Sequence, residues 1–113
     1  MPNYVLLMYM PSGPQPTEEQ IKAEHPRWNQ LYGEMVEAGV LVSNSGLSPV
    51  DSATTVRVRD GETLISDGPF AETKEVLGGF FVLDLPDLDE ALKWAAKIPN
   101  AERGSVELRP VWG

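Results

Sequence analysis

The chain has 113 residues, 42% of them hydrophobic, and a formal net charge of -8; the length fits one domain over residues 1–113, with a two-layer core and no room for a second. The absence of cysteine excludes disulfides and thiolate chemistry, and a single histidine excludes a multi-histidine zinc centre within one chain. An acidic balance with scattered Lys and Arg speaks against direct nucleic-acid binding, and no apolar run approaches the ~20 residues of a membrane span, so a small molecule or a protein is the expected partner.

At the N-terminus, "MPNYVLLMYMPSG" lacks a basic leader and passes from a short apolar run directly into a turn, which reads as a first strand in a cytoplasmic protein. Asn3 to Tyr9 is nearly continuous in apolar residues, as in a strand covered on both faces. Thr17 and Gln20 have the spacing of a capping box, so a helix is expected from there to a glycine cap at Gly39, with Ile21, Trp28, Leu31, Tyr32, Met35 and Val36 on its apolar side. Pro26 would clash with the Lys22 carbonyl in a regular helix, so a kink or restart is expected beside it. A second strand starts near Val40. Asp60-Gly61 then marks a type I′ hairpin whose register pairs Arg59 with Glu62, Val58 with Thr63, Arg57 with Leu64 and Val56 with Ile65, leaving Val56, Val58 and Ile65 on one face. Gly78 and Gly79 open another apolar strand, Phe80 to Leu85. Asp87 caps a second helix carrying Leu88, Ala91, Leu92, Ala95 and Ile98, Pro99 stops it, and a last strand begins at Ser105.

Strand, helix, strand, hairpin, strand, helix, strand is the order of an α+β domain of ferredoxin-like type, a split β-α-β unit with an inserted β-hairpin. Two helices cover one face of such a sheet, yet both central strands are apolar on both sides. A second copy packed sheet to sheet is the expected cover, because most soluble oligomers are closed two-fold homodimers. The alternative is that the hairpin and the C-terminal "VWG" fold back over that face.

"DGPFAETKE" from Asp67, followed by "GGFFVLDLPDLDEALKWAAKIP" and "GSVELRPV", resembles the YCII-related family, specifically its DGPF subgroup, over essentially the whole chain. The resemblance implies a dimeric α/β-barrel of ferredoxin-like protomers and no settled activity. In that family a His-Asp pair has been proposed as an acid-base site, one relative is a dehydrochlorinase of a chlorinated aromatic, and many DGPF members are encoded near extracytoplasmic-function sigma factors. The family's histidine lies on the first helix. By spacing back from Gly39 its place here is held by Trp28, with His25 one turn earlier.

Asp67 and His25 are the candidate catalytic residues. Asp67 is read either as a cavity-rim carboxylate acting as general base or as a turn acceptor for following amides, with Pro69 forcing Gly68 extended. His25 is the chain's one imidazole and so the natural proton carrier of such a site, but its place before Pro26 equally suits a surface position at a helix start. The expected ligand pocket comprises Tyr9, Trp28, Asp67, Gly68, Pro69, Phe70 and Phe81. Arg57, Arg59, Arg103 and Arg109 are read as pairing partners more than as an anion site, and the acids lack the spacing of a metal loop. No metal or cofactor is expected. Two functions follow: a small-molecule-binding or regulatory domain with a ligand cavity, linked to a sigma factor, or a cofactor-free enzyme performing acid-base elimination or isomerisation on a small cyclic or aromatic acid.

Overall fold

The two long apolar runs become the centre of the sheet. In the computed structural model, which describes residues 2–69 and 73–112, β1 (Asn3–Pro11) pairs antiparallel with β5 (Glu75–Asp84). The short strands β2 (Leu41–Gly46) and β6 (Ser105–Pro110) lie outside them, giving the order β2-β5-β1-β6. Side chains alternate across a strand. Tyr4 and Leu6, opposite Leu83 and Phe81, are therefore buried on one side, while Val5 and Leu7, opposite Val82 and Phe80, are only half-buried on the other.

Helix α1 (Glu18–Glu37) starts at the predicted capping box: the Thr17 hydroxyl accepts from the Gln20 amide, and the Gln20 side chain accepts from the Thr17 amide. Helix α2 (Leu88–Ala96) is capped by Asp87, which accepts from the Glu90 amide. Leu31 and Met35 from α1, with Ala91, Ala95 and Ile98 from α2 and its exit, join Tyr4, Leu6, Phe81 and Leu83 in one core cluster. Both helices thus cover the same sheet face. Only part of each predicted apolar stripe is used: Ile21, Tyr32 and Val36 on α1 and Leu88 and Leu92 on α2 remain exposed. Among the described residues no helix is long and apolar enough to cross a membrane.

One local expectation is narrowed and two need correction. Helix α1 runs through Pro26 without a restart. Pro26 and Lys22 are both exposed, so water can serve the carbonyl that the proline leaves unpaired, and ion pairs of Glu24 with Arg103 and Arg27 with Glu102 flank the site. Gly78 and Gly79 lie inside β5 and do not begin it, because Gly78 is the extra residue of a bulge: Met8 pairs with Gly79 and Tyr9 with Leu77. Gly68 has φ +95°, so it is not extended; a glycine before proline can take this mirror region, which other residues avoid.

The hairpin of β3 (Thr54–Arg59) and β4 (Glu62–Asp67) has all four predicted pairs, and positive φ at Asp60 and Gly61 fits the type I′ turn. It forms a separate two-stranded sheet. Val56 is 62% and Ile65 70% exposed, and Trp112 is fully exposed, so neither the hairpin's apolar face nor the C-terminal segment is packed as a cover for the sheet. The radius of gyration, 16.1 Å, exceeds the ~13 Å of a compact 100-residue domain, as a projecting arm requires.

Candidate functional site

The bulge at Gly78 interrupts regular pairing where three elements meet: the end of β2, the middle of β1 and the short 3₁₀ turn Pro99–Glu102 after α2. Gly79 is needed there for close approach, since a Cβ on it would lie 2.7 Å from the Ser45 carbonyl oxygen. Beside this point lies a cavity of about 310 Å³ walled by Met8, Met10, Trp28, Phe80, Phe81 and Gly78, with Asn44, Ser45 and Gly46 along β2 and Asn100 from the 3₁₀ turn. The wall is mostly apolar and aromatic, with a few polar groups, the composition of small-molecule sites generally.

Asn100 is the polar anchor. It is only 2% exposed. Its Nδ2 donates to the Tyr9 carbonyl at 3.0 Å and the Ser105 carbonyl at 3.3 Å, tying the turn to β1 and β6. Its Oδ1 is buried without a hydrogen-bond partner. An orphaned buried acceptor costs about 1–3 kcal/mol, so this one needs a reason. Gly104 completes the joint: its amide donates to the Asn100 carbonyl, and a Cβ on it would overlap the Tyr9 carbonyl oxygen.

Of the expected pocket residues, Trp28 and Phe81 meet in this cavity. Tyr9 does not join them with its side chain. Alternation turns it with Val5 and Leu7 to the open sheet face, where burial first and the Glu107 carboxylate second, through its charge and a hydrogen bond, raise its pKa, opposed by Arg109. Asp67 ends β4, exposed, and among the described residues no donor reaches its carboxylate. The turn there is held otherwise: the Gly68 amide donates to the Ala53 carbonyl, and the Thr55 hydroxyl donates to the Gly68 carbonyl. Pro69 follows, exposed, and Phe70 lies outside the described residues. His25 is exposed on α1, its Nδ1 3.3 Å from Asn29 Nδ2, in a shallow depression with Ile21, Lys22 and Pro26. No cavity described here holds both Asp67 and His25. Arg103 is paired with Glu24, Arg59 donates to the Val58 carbonyl, and among the described residues no cluster of three metal-ligating side chains occurs.

Sequence reasoning missed Met8, Met10, Asn44 and Asn100. The Gly78-Gly79 pair within an apolar run was a usable signal of a bulge. Asn100, after Pro99, reads as an ordinary turn residue, and nothing local distinguishes a buried one.

The family model of the YCII-related domain matches residues 3–113. An uncharacterised protein of Rhizobium meliloti (strain 1021), R00369, is 50% identical over 78 residues, 67% of this chain and 63% of that protein, so the chain spans less than two thirds of that relative's length. With the match running from β1 to the end of the chain, this protein belongs to the YCII-related domain family.

Proposed function

We propose that the chain is a small-molecule-binding domain of regulatory type, a ferredoxin-like protomer of the DGPF subgroup that pairs with a second copy as a dimeric α/β-barrel. The observation that carries the reading is the apolar cavity in which Trp28 and Phe81 converge beside the buried Asn100. Its volume, about 310 Å³, lies at the small end of the roughly 300–1,000 Å³ usual for ligand sites, so the ligand is small. The antiparallel order β2-β5-β1-β6, with both helices on one face, supports the ferredoxin-like protomer. The half-buried Val5, Leu7, Phe80 and Val82 on the other face support a sheet-to-sheet partner. The link to a sigma factor rests on the family resemblance and on the motif "DGPFAETKE".

An acid-base enzyme acting on an aromatic acid finds less support. Asp67 and His25 are exposed on separate elements, and among the described residues no cationic side chain lines the cavity to hold a carboxylate.

Methionine methyl NMR tests the binding reading, because Met8 and Met10 line the cavity while Met35 is sealed in the core. Titration with a panel of small aromatic compounds is expected to move the Met8 and Met10 methyl signals and leave Met35 in place. No movement at millimolar ligand, or equal movement of all three, would contradict the reading.

A further inference from the structure

The two N–H groups of the Asn100 amide are both committed to carbonyl oxygens, those of Tyr9 and Ser105. Carbonyls only accept, so the nitrogen must face them and the amide orientation is fixed by its own network. Oδ1 is then the atom left over, buried on a residue of the cavity wall with no hydrogen-bond partner among the described residues. No charged side chain among the described residues lines that cavity, and the chain as a whole is acidic, so neither an anion nor a strongly charged ligand of either sign finds a counter-group there. What the site offers is aromatic and thioether surface, the Asn44 and Ser45 side chains on its β2 side, and one buried unsatisfied acceptor.

We propose that the cavity selects an uncharged, planar, mainly apolar molecule bearing a single N–H or O–H donor, and that Asn100 Oδ1 is the acceptor that makes the selection. This deepens the binding reading above and rests on it. Because Oδ1 is buried, a donor reaches it only if the wall adjusts, and the unbranched thioether chains of Met8 and Met10 are the most adaptable members of that wall. Discrimination follows from the asymmetry of buried hydrogen bonds: a ligand that brings the donor satisfies an orphaned acceptor, whereas an isostere without it leaves the acceptor buried and unpaired.

Indole and 1-methylindole make the test on the unaltered protein, by calorimetric or NMR titration. The two differ only by replacing the donor hydrogen with a methyl group. If apolar burial alone decided, the methyl would tighten binding about fourfold. The acceptor role reverses that order: indole is expected to bind about tenfold tighter than 1-methylindole, and the Asn100 ¹³Cγ resonance to move with indole and stay with 1-methylindole. Equal or tighter binding of 1-methylindole, with Met8 and Met10 signals shifting, overturns the role of Asn100 and leaves the binding reading standing. If neither compound perturbs Met8 or Met10 at millimolar concentration, the selection proposed here fails together with small-aromatic binding in this cavity. Asn100→Leu is a weaker probe, since it also unpairs the Tyr9 and Ser105 carbonyls. Loss of the indole preference in a folded Asn100→Leu protein supports the assignment, and a retained preference overturns it.

Discussion

The helix-covered side of the sheet and the β3–β4 hairpin carry equally legible sequence patterns and reach opposite ends. Leu6 and Leu83 alternate inward and are fully buried; Val56 and Ile65 alternate just as cleanly and lie directly opposite each other, yet both are exposed. The backbone obeys the local code in both regions. What differs is whether another element of the same chain arrives to cover the apolar face. Helices α1 and α2 do so for the sheet, and among the described residues nothing does so for the arm. Periodicity therefore specifies which side of a strand is apolar, and only tertiary or quaternary packing specifies whether that side is dry.

Substitutions sharpen the contrast. Leu6→Ala removes fully buried atoms and is expected to cost about 2–5 kcal/mol, whereas Ile65→Thr on the arm is expected to leave the stability of a single chain within about 0.5 kcal/mol and to act on association instead. Urea melts at several protein concentrations separate the two effects. A large, concentration-independent loss in Ile65→Thr would show that the hairpin is packed within one chain.

Next in size is the joint that shapes the cavity. Gly104→Ala forces a Cβ onto the Tyr9 carbonyl and is expected to cost about 1–3 kcal/mol, with the Met8 and Met10 methyl signals displaced as the 3₁₀ turn shifts. Unchanged stability would mean that β1 and the turn are less tightly apposed.

At the hairpin exit, Thr55→Val removes the hydrogen bond to the Gly68 carbonyl and is expected to cost about 1 kcal/mol, while Asp67→Ala, at an exposed carboxylate, should stay within about 0.5 kcal/mol. Thermal melts of the two proteins decide it. The reverse ranking would restore Asp67 as the side chain that holds the turn.

The smallest effect is one of pH. Tyr9 titrates above its ordinary value of about 10 because burial and Glu107 disfavour the phenolate. A raised native pKa contributes stability that is fully present below the unfolded value and lost as pH rises through the native one. Stability measured between about pH 9 and 12 is therefore expected to fall, and Tyr9→Phe to flatten part of that fall. An identical alkaline profile for the two proteins would mean that the open face does not hold the phenol neutral.

Much of the architecture was legible because its signals are local. The Thr17 capping box, the Asp87 cap, the left-handed Gly39 and the whole register from Val56 to Glu62 depend on residues within a few positions of one another. The α+β class followed from the order of those elements. Little of the cavity was legible: of its lining residues, only Trp28 and Phe81 were picked out, as aromatics. Asn100 was not, because its role arises from contacts 91 residues away at Tyr9. Pro26 left a kink and a restart open for a related reason, and only the restart is excluded. The clash it threatens inside a helix is tolerable on an exposed face, and exposure belongs to the fold. Asp67 shows the same limit, since a motif names a turn without naming which side chain holds it.

The claim that binds these contrasts is that a second copy covers what this chain leaves open, the face of Val5, Leu7, Phe80 and Val82. Light scattering of the protein at micromolar concentration tests it most directly. A mass twice the 12.4 kDa of one chain is expected, and a mass of 12.4 kDa would contradict the two-copy arrangement.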